Sequence, residues 1–166
     1  DMMAMNPELQ TIVSPYTGTD VGEGETLVAI PAFDIDLSII HMNRADAGGN
    51  GQFLGPDLYF DDLFAMAAKR TFMSCEQVIP TENFLNEGSV HTLKIPRIFV
   101  DGVIEAPMGA HFTECLPDYS RDEAFQKMYG ATASDKELWD VFNEKYLQAG
   151  SHEEYLAAVD SWEQGS

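Results

Sequence analysis

A chain of 166 residues, 45% hydrophobic and 11% aromatic, has enough apolar material for a real core and is no disordered tail. Its 28 acidic and 9 basic residues give a formal charge of −19, which repels a polyanion, and no basic stripe offsets it. Nucleic acid is thereby excluded as a partner, and the acid excess reads as a strongly solvated surface.

No apolar run approaches the ~20 residues that span a bilayer, so no membrane association is expected. The chain opens Asp1-Met2-Met3-Ala4-Met5, without the basic-then-apolar layout of a secretory leader, and position 1 reads as the cut edge of a longer chain. Cys75 and Cys115 form no CxxC pair. Two isolated cysteines suit buried thiols in a reduced cytoplasm better than a disulfide framework.

In chain order, Ser14-Pro15-Tyr16-Thr17-Gly18 packs two hydroxyls, a phenol and a glycine around a proline, the composition of a fixed loop that presents hydrogen-bond donors. Leu27 to Ile30 and Leu37 to Met42 are short, nearly continuous apolar runs, the pattern of strands covered on both faces. Asp46 to Gly51 follows as a loop with three glycines. Asp61 to Arg70 has acid at its start, base at its end and helix formers between, which marks a crossover helix. Thr71 to Ile79 reads as the next strand, so strand, loop, helix and strand make a βαβ unit with parallel strands.

Thr81 to Asn86 suits a short helix, and Asn86-Glu87-Gly88 a turn. Asp101-Gly102 lies between two short apolar runs and suits either a hairpin or a tight bend within one strand. Ala106 to Thr113 is a second loop, with small residues around His111. Beyond it, Ser120-x-x-Glu123, Ser134-x-x-Glu137 and Ser151-x-x-Glu154 are capping boxes that open three helices, with Gly130 and Gly150 as stops for the first two. Leu138, Val141, Phe142, Lys145 and Tyr146 share one side of the second helix. Tyr155, Leu156, Val159 and Trp162 do so in the third.

His41, His91, His111 and His152 show neither HxH nor HExxH spacing, so no metal site is expected. There is no P-loop, no GxGxxG and no GxSxG. Residues alone therefore give an α/β domain, a mostly parallel sheet with flanking helices and a three-helix C-terminal segment, whose polar loops gather at strand ends.

The ordered strings Ser14-Pro15-Tyr16-Thr17-Gly18, Ile30-Pro31-Ala32, His41-x-x-Arg44-Ala45-Asp46-x-x-Gly49-Asn50, Ala67-Ala68-Lys69-Arg70 and Glu105-Ala106-Pro107-x-Gly109-Ala110-His111 resemble the alpha subunit of family I coenzyme A transferases. The tail, Phe112-Thr113 with Pro117-Asp118-Tyr119-Ser120-Arg121-Asp122-Glu123, is more similar to the steroid ring-opening hydrolase branch than to the glutaconate or acetoacetate branches. The resemblance implies that residues 1–166 are the C-terminal half of an alpha-subunit domain whose N-terminal half lies outside this sequence.

It also implies a cytoplasmic heteromer with a beta subunit, an acyl-CoA ester as substrate, no bound cofactor, and either CoA transfer or hydrolytic ring opening. In the family the transfer nucleophile is a beta-subunit glutamate, and the hydrolase branch places its catalytic glutamate ahead of Asp1. The resemblance leaves Ser14, Tyr16, Thr17, Arg44, Asp46 and Asn50 as substrate-binding candidates, Arg44 and Asp46 as a possible orienting ion pair, and His111 as the catalytic candidate. The alternative is a non-enzymatic ligand-sensing or structural module on the same fold.

Overall fold

The computed structural model describes residues 10–14, 24–29, 32 and 34–163. The chain divides into two compact units, residues 1–34 and 35–166. In the first, β1 (Thr11–Val13) and β2 (Thr26–Val28) form an antiparallel pair. Its two ends are closed by Ser14 N–H donating to Glu25 C=O and Ala29 N–H to Gln10 C=O, both at 2.8 Å. The run from Leu27 is therefore a strand as expected, but it is not covered on both faces: Leu27, Ile12 and Val13 are all exposed.

The second unit holds a five-stranded sheet ordered β6-β4-β3-β5-β7. Its long members are β3 (Ile35–Ala45) and β5 (Ala68–Val78), paired in parallel from Ile35↔Ala68 to Ala45↔Val78. β7 (Gly102–Glu105) adds a third parallel strand beside β5, while β4 (Gly51–Gln52) and β6 (Leu93–Ile95) extend the other edge antiparallel. The sheet is thus mixed, with most of its paired register parallel.

The crossover between β3 and β5 is α1 (Asp61–Ala67), three residues shorter than expected. Ala68 to Arg70 leave the helix because the ladder to β3 begins at Ala68 and continues through Arg70. The Thr71 hydroxyl then closes the junction by donating to Ala65 C=O. The expected short helix is present as a 3-10 turn, Thr81–Asn83, running into α2 (Phe84–Glu87). At Asp101-Gly102 the chain bends into β7 without a hairpin, since Asp101 exchanges its amide and carboxylate with the backbone of Thr71 on β5.

One core lies on the α1 side of the sheet, where Ile40, Met42, Met73 and Cys75 point inward beside Ile95 of β6, with Ala65 of α1 packed against them. On the opposite side β3 is covered only near its end: Asn43 is fully buried, yet Ile39 is 74% exposed. A second core belongs to α3 (Glu123–Ala131), α4 (Lys136–Phe142) with the π turn Asn143–Leu147, and α5 (His152–Glu163). There Phe125, Phe142, Tyr146 and Val159 pack together with Phe112 and Trp162.

Three C-terminal helices are present as expected, but two start on aspartate rather than serine. Asp122 accepts from Phe125 N–H, and Asp135 from the amides of Glu137 and Leu138. Only the third helix keeps its serine cap, with Ser151 Oγ accepting from Glu154 N–H, while the Glu154 carboxylate reaches past the cap to Gly150 N–H. Gly130 lies inside α3 and does not stop it. The predicted stripe of the second helix splits, because Phe142 and Tyr146 are buried whereas Leu138 and Val141 stay exposed.

Candidate functional site

Three polar side chains share one face of the two long strands. His41 on β3 stands in register with Ser74 on β5, and Glu76, two residues on, points to the same side. Their hydrogen bonds are short: His41 Nδ1 to Ser74 Oγ is 2.8 Å and His41 Nε2 to Glu76 Oε1 is 2.6 Å. A carboxylate can only accept, so Nε2 carries the hydrogen toward Glu76 in neutral histidine, and Nδ1 is left to accept from the Ser74 hydroxyl, for which Ile40 C=O, at 3.3 Å, is the longer competing acceptor.

The segment after β7 folds over this trio. Met108 N–H donates to Glu76 Oε2 at 2.6 Å, and the Tyr119 phenol donates to Oε1 at 2.8 Å while accepting from Ala110 N–H. Burial first, and then this bond to Glu76, push the Tyr119 phenol well above its usual pKa, so it stays a donor. Gly109 lies against the imidazole: a Cβ there would sit 2.7 Å from His41 Cε1. That close approach gives the small-residue loop its physical reason.

Asn43, two residues along β3 from His41, donates to Leu116 C=O, Asp118 and Cys115 Sγ and accepts from Leu54 N–H. Cys115 Sγ, His41 and Glu76 offer donor atoms within 4.8 Å of one another, a set suited to a borderline cation. Each already has a hydrogen-bond partner, and burial pushes the Cys115 thiol up to about 12, so it is held as a thiol. The arrangement fits a closed hydrogen-bond network better than a metal centre. Cys75 is likewise a free buried thiol, raised to about 11 chiefly by burial.

Beside the network lies a cleft of about 550 Å³ between the loop after β7 and the C-terminal helices. Ser74 reaches it from the sheet, Met108 and Phe112 from the loop, and His152 and Tyr155 from α5. His111 also lines it, yet its side chain is only 3% exposed. Its Nδ1 meets the Tyr155 hydroxyl at 2.7 Å, its Nε2 lies 3.4 Å from Asp122, and its ring packs 4.8 Å from that of Phe125.

The other sequence candidates are dispersed. Arg44 binds Glu87 at 2.8 Å and Asp118 at 2.9 Å, not Asp46; burial opposes its charge, but those two carboxylates outweigh it and raise its pKa. Glu87, expected to be a mere turn residue, is thus an ion-pair partner. Asp46 accepts from the amides of Gly48 and Asn50, the Asn50 side chain and the Thr81 hydroxyl. Burial would raise its pKa, but these donors prevail and lower it. Gly49 takes the positive φ of 101° that this loop demands. Ser14 is buried in the first unit, and Tyr16 and Thr17 lie outside the described residues.

His41 and Tyr119 belong to the family-like strings, but neither they nor Ser74 and Glu76 are among the site candidates read from the sequence. The signal available was polar residues at i and i+2 on otherwise apolar strands, His41 with Asn43 and Ser74 with Glu76, which cannot face the same core as Met42 and Cys75.

Comparison with known proteins agrees with this architecture. The chain is 44% identical over 155 residues to the cholesterol ring-cleaving hydrolase IpdA subunit of Mycobacterium tuberculosis, covering 93% of this chain and 52% of that protein. It is 34% identical over 142 residues to a glutaconate CoA-transferase subunit of Acidaminococcus fermentans, covering 85% and 43%. The crystal structure of glutaconate coenzyme A-transferase from that organism superposes with a TM-score of 0.77 at 31% identity, over 91% of this chain and 45% of the other. The chain therefore spans about half the length of the curated relatives it matches. The profile of the coenzyme A transferase family matches residues 9–106, and the chain belongs to that family.

Proposed function

We propose that the chain is the alpha-subunit portion of a heteromeric enzyme acting on acyl-CoA thioesters, and that it contributes the acyl pocket rather than the attacking carboxylate. The observation that carries this reading is the lining of the 550 Å³ cleft, which is aromatic and hydroxyl-bearing and, among the described residues, contains no Asp, Glu, Lys or Arg. The carboxylate that attacks a thioester in this family's chemistry is therefore supplied from outside the cleft lining, by a beta subunit or by another part of alpha. A pocket without a cation suits a ring-derived acyl group better than one bearing a free carboxylate.

Among the two family chemistries, hydrolytic ring opening of a cyclic CoA ester is the reading favoured, supported by the 44% identity to the ring-cleaving hydrolase subunit. The free thiols Cys75 and Cys115 suit a reducing cytoplasm. His111 takes the role of orienting Tyr155 at the cleft wall, Arg44 ties the segment after β7 through Asp118, and Asp46 and Asn50 brace the loop after β3, outside the cleft lining; Ser14, Tyr16 and Thr17 remain the substrate-binding candidates of the first unit. No helix among the described residues is long and apolar enough to cross a membrane.

The test is reconstitution of the full-length alpha subunit with its beta partner. Consumption of a cyclic CoA ester without added carboxylate acceptor, undiminished by borohydride, is expected. Acceptor-dependent turnover that borohydride abolishes establishes a transferase instead, and small-molecule binding by the chain without a beta subunit favours the sensor alternative.

A further inference from the structure

We propose that Ser74, His41 and Glu76 form a serine-nucleophile constellation that takes an acyl group from an activated ester or thioester in the cleft. This goes beyond the family reading, because the attacking atom belongs to this chain and no partner glutamate is involved.

The roles are those of a nucleophile, a general base and an orienting carboxylate, recognised by geometry rather than by position in the sequence. Ser74 is half-buried and lines the cleft, with its Oγ 2.8 Å from His41 Nδ1. Glu76 holds the other ring nitrogen at 2.6 Å and is itself fixed by Met108 N–H and the Tyr119 phenol. The tautomer that leaves Nδ1 free to take a proton is the one Glu76 imposes. Gly109 and the strand register hold the imidazole in place, so the base needs no rearrangement before reaction.

In the acylation step the Ser74 hydroxyl proton passes to His41 Nδ1 as Oγ bonds to the carbonyl carbon. The bond from that carbon to sulfur or oxygen then breaks, and the leaving thiolate or alkoxide takes the proton from His41. Deacylation repeats the sequence with water as nucleophile, releasing a carboxylic acid and restoring the serine hydroxyl. No redox partner is required.

The oxyanion is poorly served. The amides of Met108, Gly109, Ala110 and His111 are committed to Glu76, Ala106 C=O, the Tyr119 oxygen and Met108 C=O. Each missing oxyanion donor costs about 10²–10³ in rate. The site is therefore expected to acylate once and release slowly.

The experiment treats the full-length alpha subunit, without its beta partner or CoA, with an alkyl fluorophosphonate and separately with p-nitrophenyl butyrate, followed by intact-mass and peptide mapping. A single adduct on Ser74 is expected, from Oγ–P bond formation with loss of fluoride in the first case and a stable butyryl ester in the second. Ser74→Ala should abolish it and His41→Gln should slow it by about 10²–10⁴, with both variants checked for an unchanged fold by circular dichroism. A folded chain that takes no label, or an adduct that persists in Ser74→Ala, overturns the proposal. Because neither a beta subunit nor a CoA ester enters the assay, its failure leaves the acyl-CoA reading untouched, and failure of that reading leaves this one standing.

Discussion

Tyr119 donates to Glu76 at 2.8 Å and accepts from Ala110 N–H at 2.9 Å, so a single phenol oxygen ties β5 to both ends of the segment that covers it. Tyr119→Phe keeps the ring and removes only this oxygen, leaving a half-buried amide without its acceptor and a carboxylate short of one donor. A loss of about 1–3 kcal/mol in unfolding free energy is expected, measured by urea denaturation. Faster hydrogen exchange at Ala110 should accompany it, and unchanged exchange there would show that the bond does not hold the loop.

Gly109 and Gly130 make opposite cases. A Cβ at Gly109 would lie 2.7 Å from both Ala106 C=O and His41 Cε1, so Gly109→Ala must displace backbone or the imidazole, at about 1–3 kcal/mol. Gly130 lies within α3 and meets nothing within 4 Å. Gly130→Ala should therefore stabilise by about 0.5–1 kcal/mol through helix propensity alone. Thermal melts of the two variants should move in opposite directions.

Asp46 sets an acid limit on the loop after β3. Its folded pKa is depressed, against the pull of burial, by the donors from Asn50, Thr81 and Gly48. The stability it contributes is therefore fully present above the unfolded carboxylate value of about 3.9 and is lost as pH falls through the lower folded value. Asp46→Asn turns one acceptor into a donor facing the Asn50 side chain and the Thr81 hydroxyl, so it should destabilise at neutral pH. The gap to the parent chain should narrow progressively below about pH 4 in a pH series of unfolding curves. A constant gap across that range would mean that the charge of Asp46 plays no part.

What the sequence made legible was local. The Asp46 loop, α1 and the strands on either side of it follow from turn chemistry, end charges and apolar runs, each contained within a short stretch of chain. The caps were nearly right, but an aspartate one or two residues after the serine competes for the same amides and takes two of the three helix starts. The run at Leu27 could not be distinguished from a core strand, because a short apolar stretch reads alike in an exposed pair and in a buried sheet. The His41–Ser74–Glu76 arrangement was invisible for a different reason. It exists only once β3 and β5 pair in one register across 33 positions of chain, and a slip of one residue would turn Ser74 and Glu76 to the other face.

His111 separates packing from chemistry. Its ring is wedged against Phe125, with one nitrogen on the Tyr155 hydroxyl and the other near Asp122, and almost none of it faces solvent. Truncation in His111→Ala opens a cavity among aromatic rings and leaves the Tyr155 hydroxyl without its partner, so a cost of about 2–4 kcal/mol is expected. His111→Gln retains much of the volume and a group able to reach Tyr155, and should recover a large part of that loss. In the full-length alpha subunit joined to its beta partner, a positioning role predicts that activity per folded enzyme falls in His111→Ala chiefly through a raised KM, as the Tyr155 wall of the cleft loosens, and returns with the Gln variant. A proton-transfer role predicts the reverse: kcat falls in both variants, since an amide cannot act as acid or base, while the stability of the Gln form is close to that of the parent. Equilibrium unfolding and steady-state kinetics on the same three preparations distinguish the two.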